Sequence, residues 1–168
     1  MNLTYQNLTI QNASQEDSSL LAHWWNDGTV MSHAGFPNGL GITAAEVAAG
    51  LGPGNLILLL DGSPIGEMNY RSVAPNTAEI GIKICEACYQ NQGIGKTALS
   101  MLIRELFHMG YTKIILDTNL KNIRAQHVYE TLGFQRLRIN HDSWKNQLGT
   151  WESSVDYELT ASQFHSYI

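Results

Sequence analysis

A glycine-rich turn is the part of this sequence whose residue types could most directly do chemistry. Gln90, Gly93 and Gly95 follow the spacing Q-x-x-G-x-G and stand between a strand-like run and a long helical pattern. Such a turn leaves backbone N–H groups at the helix start without partners, and the helix dipole adds positive potential there. Because glycine has no Cβ, a phosphate can approach this backbone closely. The turn predicts a site for a phosphorylated ligand.

Two other phosphate-binding motifs do not fit this turn. A Walker-type loop needs a glycine where Gln90 stands, although the turn does end in Gly95, Lys96 and Thr97. The turn is also not a G-x-G-x-x-G sequence after the first strand of a βαβ unit, so a dinucleotide fold is not indicated. Q-x-x-G-x-G is a short motif, and an ordinary turn that merely tolerates glycine remains the alternative.

A second chemical motif follows about thirty residues later. Asn122 is a suitable N-cap for a helix over residues 123–132, and Gly133 is a typical residue just beyond a helix end. Asn122 and Tyr129 are seven residues apart, nearly two turns, so they share one helix face about 10 Å apart along the axis. Ala125 leaves room between them. Asn122 could bond an amide, and Tyr129 could donate a proton.

Together these motifs resemble the GNAT superfamily of N-acetyltransferases. The resemblance rests on residues 79–82 (EIGI), 90–96 (QNQGIGK), Asn122, Ala125 and 129–134 (YETLGF), in this order and spacing. It is closest to the branch that acetylates ribosomal-protein N-termini, polyamines and small amines. The resemblance implies acetyl-coenzyme A as the phosphorylated cosubstrate. No metal is expected, because the sequence has neither a second cysteine pair nor an H-x-x-x-H that could complete a metal site. The acceptor would be the primary amine of a small molecule, a polyamine or a protein N-terminus.

The same resemblance assigns the coenzyme-binding residues. It implies that backbone N–H groups of Lys83, Ile84 and Cys85 face the pantetheine arm and the thioester carbonyl. The remaining residues implied by the family are those of the turn and the following helix: Gln90, Asn91, Gln92, Gly93, Ile94, Gly95, Lys96, Asn122 and Tyr129.

Acetylation of an amine needs a base, because a primary amine is mostly protonated at neutral pH, and the leaving thiolate benefits from an acid. The family often has a glutamate base where Glu79 stands, and its acid where Tyr129 stands. Asp117 is the rival base, ranked below Glu79. Simpler roles remain open: a solvated carboxylate for Glu79, a core aromatic for Tyr129 and a turn-starting residue for Asp117.

The acceptor site is less well defined by the sequence. Trp25, Asp27 and His33 lie in a region that lines the acceptor pocket in the family, and aromatic faces beside Asp27 could hold a cationic amine. Glu67 is a further candidate. Other residues that could face the acceptor are Asn69, Tyr70, Trp144, Trp151 and Glu152. The alternative is that the tryptophans fill the core and His33 is a surface residue.

The charge and composition of the chain limit the kinds of molecule that it is expected to bind. The chain has 168 residues and a net charge of −5, with no cluster of Lys and Arg, which argues against nucleic acid. No signal sequence and no apolar run of eighteen residues is evident, so we expect a soluble cytoplasmic protein that does not bind membranes. Cys85 and Cys88 form one C-x-x-C, which we interpret as two reduced thiols. The sequence leaves open whether the protein forms a homodimer.

The periodicity of apolar residues predicts the elements that must position these residues. We predict strands over residues 2–10, 55–60, 65–72, 78–85, 112–118, 135–141 and 150–159, and helices over 14–26, 43–51, 93–109 and 123–132. This order predicts a single α/β (α+β) domain over residues 1–168. Its fold would be GNAT-like: a mixed, mostly antiparallel twisted sheet of about seven strands flanked by about four helices, with one right-handed crossover carrying the ligand.

Three classes of function therefore remain. The first is an acetyl-coenzyme A dependent N-acetyltransferase. The second is a sensor module that binds an acyl-coenzyme A without turnover, which would not need both Tyr129 and Glu79. The third is a redox protein using Cys85 and Cys88, which is disfavoured because the pair leads into the glycine turn instead of opening a helix.

Overall fold

One eight-stranded sheet organises the computed structural model, which describes residues 1–168. Its strand order is β1-β2-β3-β4-β5-β6-β8-β7. The strands are β1 (Asn2–Tyr5), β2 (Leu8–Asn12), β3 (Asn55–Leu60), β4 (Ser63–Ala74), β5 (Thr77–Ile84), β6 (Lys113–Asn119), β7 (Gln135–Lys145) and β8 (Trp151–Thr160). All neighbours are antiparallel except β5 and β6, which are parallel. The predicted mixed, mostly antiparallel class is confirmed.

The strand count is eight because the predicted first strand is a hairpin. Gln6 adopts a positive φ of 53°, which turns the chain between β1 and β2. The inward-facing residues change from odd positions in β1 (Leu3, Tyr5) to even positions in β2 (Leu8, Ile10), and this change of phase across the two-residue turn was read as imperfect alternation within one strand.

Five α-helices accompany the sheet: α1 (Ser18–Trp25), α2 (Gly28–Met31), α3 (Ala44–Gly50), α4 (Ile94–His108) and α5 (Ile123–Thr131). Helix α3 begins with a capping box, since Thr43 Oγ1 accepts from the Glu46 N–H and Glu46 Oε2 accepts from the Thr43 N–H. The short helix α2 was not predicted. None of the helices is long and apolar enough to cross a membrane.

The sheet buries both of its faces in its central part. Leu56 and Leu58 belong to a large core cluster that includes α4 residues such as Leu102, whereas Ile57 packs with Trp24 of α1 in a smaller one. Successive strand side chains point to opposite faces, which explains this division.

The parallel pair β5 and β6 stays together only briefly. Paired residues run from Thr77 with Lys113 to Glu79 with Ile115, yet β5 continues to Ile84 and β6 to Asn119. Beyond Glu79 the two strands are unpaired with each other, and helix α4 makes the crossover between them. The result is an opening in the sheet with the N-terminus of α4 at the end of β5.

Candidate functional site

A cavity of about 1100 Å³ lies at the opening between β5 and β6. It extends from the glycine turn and the N-termini of α4 and α5 to the segment around α2. Of the predicted site residues, those lining it are His33, Glu79, Lys83, Ile84, Gln90, Asn91, Gln92, Gly93, Ile94, Gly95, Lys96, Asp117, Asn122 and Tyr129. Residues far apart in sequence therefore share one space.

The glycine turn forms the N-terminus of α4. Gly93 is the N-cap residue with a φ of +79°, a conformation that glycine adopts without strain. The Thr97 N–H donates to the Gly93 carbonyl at 3.2 Å, so the N–H groups of the residues between them have no partner in the helix. Gln90 Nε2 donates to the Ile84 carbonyl at 2.9 Å and thereby fixes the turn to the end of β5.

The two glycines leave open space for a ligand. A Cβ added at Gly93 would meet no atom within 4 Å, and one at Gly95 would meet only Ile82 Cδ1 at 4.0 Å. Both residues line the cavity, so a side chain at either position would enter the space next to the free N–H groups. This arrangement fits a bound phosphate group.

Tyr129 is almost fully buried, with 7% of its surface exposed, and its ring packs edge-on against Phe134 and Tyr157 at centroid distances of 5.9 and 5.8 Å. Burial, followed by the nearby charge of Asp117, raises the pKa of the Tyr129 hydroxyl to about 12. The phenol is therefore protonated at neutral pH and can donate a proton or a hydrogen bond.

Three carboxylates lie on adjacent strands beside the cavity. Glu79 on β5 pairs with Arg71 at 2.9 Å, and Asp156 on β8, opposite Asp117, pairs with Arg138 at 2.6 Å. Asp117 on β6 lies between them and forms no ion pair. Desolvation by its surroundings raises the pKa of Asp117, and the charges of Glu79 and then Asp156 raise it further. The surroundings of Asp117 thus favour its protonated form.

A hydrogen-bonded cluster supports the loop between β6 and α5. Asn122 caps α5, and its Oδ1 accepts from the Ala125 N–H at 3.2 Å. Glu152 on β8 accepts from Lys121 Nζ at 3.1 Å and from Asn119 Nδ2 at 3.3 Å. Hydrogen bonding to Lys121 is the main reason that the pKa of Glu152 is lowered. Glu152 therefore holds the loop in place from the neighbouring strand.

The backbone of β5 corrects one part of the predicted coenzyme contacts. The Cys85 N–H donates to the Ile65 carbonyl at 2.9 Å, and Cys85 does not line the cavity. Because N–H groups alternate sides along a strand, that of Lys83 also points toward β4, while those of Ile82 and Ile84 point into the opening. The sequence could not show which of the alternating residues face β4.

The Cys85 side chain is buried as well. Burial is the largest cause that raises the pKa of its thiol to about 12. Cys85 and the exposed Cys88 are both free. A thiol with such a high pKa forms little thiolate, so this geometry does not favour redox chemistry at Cys85.

Three of the four predicted acceptor residues do not line the cavity. Trp25 Nε1 donates to Glu67 Oε1 at 2.8 Å, and Lys83 Nζ lies 3.2 Å from the same oxygen, so Glu67 is buried in a polar contact between α1 and the sheet. Asp27 caps α2 by accepting from the Thr29 N–H and hydroxyl at 2.8 and 2.7 Å, which lowers the pKa of Asp27. Only His33 reaches the cavity.

Other residues complete this end of the cavity. Asn69 and Trp144, which the sequence analysis named without choosing between them, line it. Lining residues that the motifs did not indicate include Thr29, Val30, Ser32 and Ser154 at this end, and Arg124 and His127 on α5. Their positions depend on the short helix α2, on strand pairing and on the orientation of α5. No spacing rule in the sequence could have indicated the first four.

The hairpin of β7 and β8 is fastened to the segment after α2. Gln147 donates through its N–H to the Gly35 carbonyl at 2.8 Å and through Nε2 to the Gly39 carbonyl at 2.9 Å, and its Oε1 accepts from the Asn38 N–H at 2.9 Å. The Trp144 ring packs directly against Gly35, where there is no space for a Cβ. These contacts form a wall beside His33.

Residues 3–134 match the acetyltransferase (GNAT) family model, so the chain belongs to this family. One curated relative is N-alpha-acetyltransferase 30 of Dictyostelium discoideum, 32% identical over 59 residues. That match covers 35% of this chain and 32% of the relative, so the chain spans about a third of the length of that protein.

Solved structures share the fold at low identity. One is RimL, a ribosomal L7/L12 alpha-N-protein acetyltransferase in complex with coenzyme A, with a TM-score of 0.83 at 13% identity, covering 95% of this chain and 98% of that one. Another is yncA of Salmonella typhimurium with its cofactor acetyl-CoA, with a TM-score of 0.74 at 19% identity, covering 92% of this chain and 94% of that one.

Proposed function

We propose that this protein is an N-acetyltransferase that transfers the acetyl group of acetyl-coenzyme A to a primary amine. The observation that carries the proposal is the opening between β5 and β6. There, one cavity joins the free N–H groups at the start of α4 to Asp117 and Tyr129. Family membership and two relatives whose structures hold coenzyme A or acetyl-coenzyme A support the same ligand.

The coenzyme would be held by backbone groups more than by side chains. Its pyrophosphate fits beside Gly93 and Gly95, where N–H donors and the helix dipole favour an anion. Its pantetheine arm would run along β5 and pair with the edge that β6 leaves free, using the N–H groups of Ile82 and Ile84. Asn122 at the start of α5 offers a further amide contact from the opposite side.

Asp117 is the proposed base, in preference to Glu79. Glu79 is engaged with Arg71, whereas Asp117 has no cationic partner, lines the cavity and has a raised pKa. Asp117 would take a proton from the acceptor ammonium, directly or through water, and free its lone pair to attack the thioester carbonyl carbon. Glu79 would then act through its charge, by keeping the pKa of Asp117 high.

Tyr129 is the proposed acid. As the C–N bond forms and the C–S bond breaks, the electron pair of the C–S bond goes to sulfur, and the Tyr129 hydroxyl supplies the proton or a strong hydrogen bond. The tyrosine then regains its proton from solvent or from the amide nitrogen, which carries one excess proton after attack. The burial of Tyr129 favours this role, because it keeps the phenol neutral until sulfur becomes negative.

The acceptor would enter on the side of His33 and Trp144. Because Glu79 and Asp156 are paired with arginines and Asp117 is not, the charge left to attract a cationic amine is that of Asp117. The aromatic face of Trp144 could pack against the stem of the acceptor or against its charge. Small amines, polyamines and protein N-termini all carry the required group.

The deciding experiment measures thiol release from acetyl-coenzyme A with a panel of small amines, polyamines and peptides with free N-termini. Thermal unfolding with and without acetyl-coenzyme A is followed in parallel. Turnover with any acceptor that is lost in Asp117→Asn supports the proposal. Stabilisation by acetyl-coenzyme A without turnover across the panel would favour a sensor module instead. If acetyl-coenzyme A neither stabilises the protein nor is turned over, the coenzyme site itself is contradicted.

A further inference from the structure

Three basic side chains line the rim of the cavity, and the proposed transfer step does not use them. Lys96 lies in the first turn of α4, and Arg124 and His127 lie in the first turns of α5. All three line the cavity, and Arg124 and His127 are exposed at its edge. Arg124, His127 and Thr131 are spaced i, i+3 and i+7, so they share one face of α5.

The C-terminal segment, residues 165–168, packs across both helices beside this rim. The Tyr167 N–H donates to the buried Ser100 Oγ of α4 at 3.1 Å, and the Tyr167 hydroxyl lies 3.5 Å from the Thr131 carbonyl of α5. The His165 N–H donates to the Leu132 carbonyl at 2.9 Å. The segment therefore connects α4 to α5.

The Tyr167 ring fixes the position of Lys96. Lys96 Nζ lies over this ring at 3.9 Å from its centroid, a distance at which a cation–π interaction is favourable. A lysine in the first turn of an exposed helix start would otherwise sample many rotamers and lie near the positive end of the helix dipole. Held by Tyr167, whose hydroxyl lies 3.5 Å from the Thr131 carbonyl, the Lys96 ammonium group stays at the rim next to α5.

This cluster suits an anion other than the pyrophosphate. The pyrophosphate would be bound by backbone N–H groups at Gly93 and Gly95, so it does not need these three side chains. None of the three forms an ion pair with a carboxylate, and the one side-chain hydrogen bond among them is a long contact of 3.4 Å from Arg124 Nη1 to Gln90 Oε1. The chain as a whole carries a net charge of −5, so its overall charge does not attract anions, and binding of a second anion depends on basic groups at this rim. Coenzyme A carries one such anion on its nucleotide end, the 3′-phosphate of the ribose.

We propose that Lys96, Arg124 and His127 bind the 3′-phosphate of the coenzyme, and that Tyr167 is a positioning residue that holds Lys96 toward it. The proposal rests on the proposed function, because it takes coenzyme A as the ligand. It goes beyond that function in one respect: the protein binds coenzyme A more tightly than dephospho-coenzyme A, which lacks this phosphate and is otherwise identical. It also gives the C-terminal segment a part in ligand selection.

The test is calorimetric titration of coenzyme A and dephospho-coenzyme A into the full chain. The parent should bind coenzyme A at least about tenfold more tightly, since hydrogen bonds to charged groups are among the stronger ones. Lys96→Ala and Arg124→Ala should each reduce this ratio several-fold and leave the Kd of dephospho-coenzyme A within about twofold. The ratio for the parent should also fall as salt is added.

Tyr167 variants separate positioning from simple packing. Tyr167→Ala should reduce the ratio as Lys96→Ala does, whereas Tyr167→Phe keeps the ring and should keep the ratio. Lys145→Ala is the matched control, because Lys145 lies over the Trp151 ring at 4.9 Å in a cation–π pair that does not line the cavity. Its ratio should equal that of the parent.

The outcomes are distinguishable. Equal affinity of the parent for the two ligands would overturn the inference and leave the proposed function standing. So would a Tyr167→Ala variant that loses affinity for both ligands equally. If Tyr167→Ala does not fold, the exposed Arg124 still decides the matter, because an unchanged ratio in Arg124→Ala contradicts the cluster. Failure of the parent to bind either ligand would overturn the proposed function and this inference with it.

Discussion

The Asp117 carboxylate on β6 lies close to the Tyr129 hydroxyl on α5. Burial raises the pKa of this hydroxyl most, the charge of Asp117 raises it further, and the pKa reaches about 12. The two residues are twelve positions apart and meet at the opening between β5 and β6. An anion beside a protonated phenol separates the two proton-transfer roles: one group is suited to accept a proton and the other to donate one.

Replacing Tyr129 tests the donor. Tyr129→Phe retains the packing against Phe134 and Tyr157, and should lower kcat by about 10²–10⁴ with little change in the Kd of acetyl-coenzyme A. Tyr157→Phe is the control, because the Tyr157 hydroxyl bonds Glu130 and does not line the cavity. The measurements are steady-state kinetics and calorimetry. A kcat near that of the parent in Tyr129→Phe would show that the hydroxyl is dispensable.

The pH–rate profile tests the ranking of the two carboxylates. Asp117→Asn should lower kcat/KM at neutral pH by about 10²–10⁴. It should also remove the fall in kcat/KM at low pH that protonation of Asp117 causes, which is the acid limb of the profile. Glu79→Gln should move that limb to lower pH, because the Glu79 charge raises the pKa of Asp117. Arg71→Ala should move it to higher pH for the converse reason. If Glu79→Gln removes the limb and Asp117→Asn leaves it intact, the roles are exchanged.

The thermal stability of the protein should depend on the charge of Asp117, which has no cationic partner. The folded-state pKa is raised above its ordinary value of 3.8, so ionisation of Asp117 penalises the folded state as pH rises through the folded pKa. Asp117→Asn should therefore raise Tm at pH 7, and the gain should vanish below pH 3.8. Because the side chain is open to the cavity, solvent screening limits the gain to less than about 1 kcal/mol, or roughly 3 °C.

The control for this measurement is Asp142→Asn on β7, which removes the same charge from an exposed residue without an ion pair. It should show no such gain. Thermal unfolding followed by circular dichroism from pH 3 to pH 8 supplies both curves. A Tm for Asp117→Asn that is unchanged or lowered at pH 7 would contradict the raised pKa.

The proposed pyrophosphate site can be tested with two side chains of the same shape and different charge at Gly93. Gly93 has a φ of +79°, which Asp and Asn tolerate better than other side chains. Acetyl-coenzyme A at about a hundred times its Kd should stabilise the parent by about 2.7 kcal/mol. Gly93→Asp should abolish this stabilisation, and Gly93→Asn should retain more of it, because only the aspartate repels the pyrophosphate. Equal stabilisation of the parent and Gly93→Asp would contradict the placement of the pyrophosphate.

The local elements followed from local signals. The spacing of Gln90, Gly93 and Gly95 indicated a glycine turn, and Asn122 indicated a helix start. The apolar pattern over residues 112–118 indicated a strand. Each of these elements lies where it was predicted, to within one residue. These features depend on neighbours within one or two turns of the chain, so the sequence contains what determines them. Two local features were missed. The first hairpin was taken for one strand, although its apolar alternation changes phase at the two-residue turn, and the four-residue helix α2 is too short for a periodic signal.

The acceptor end and the relation between carboxylates were decided only by tertiary structure. Nothing near Asp117 in sequence shows that Glu79 and Asp156 lie on the strands beside it, or that Arg71 and Arg138 pair with those two and leave Asp117 without an ion pair. Likewise, Trp25 and Asp27 have residue types that suit an acceptor site, yet one bonds Glu67 and the other caps α2. A side chain's pKa and its partners depend on groups brought together by long-range strand pairing, and this pairing is set by the packing of the whole sheet rather than by adjacent residues.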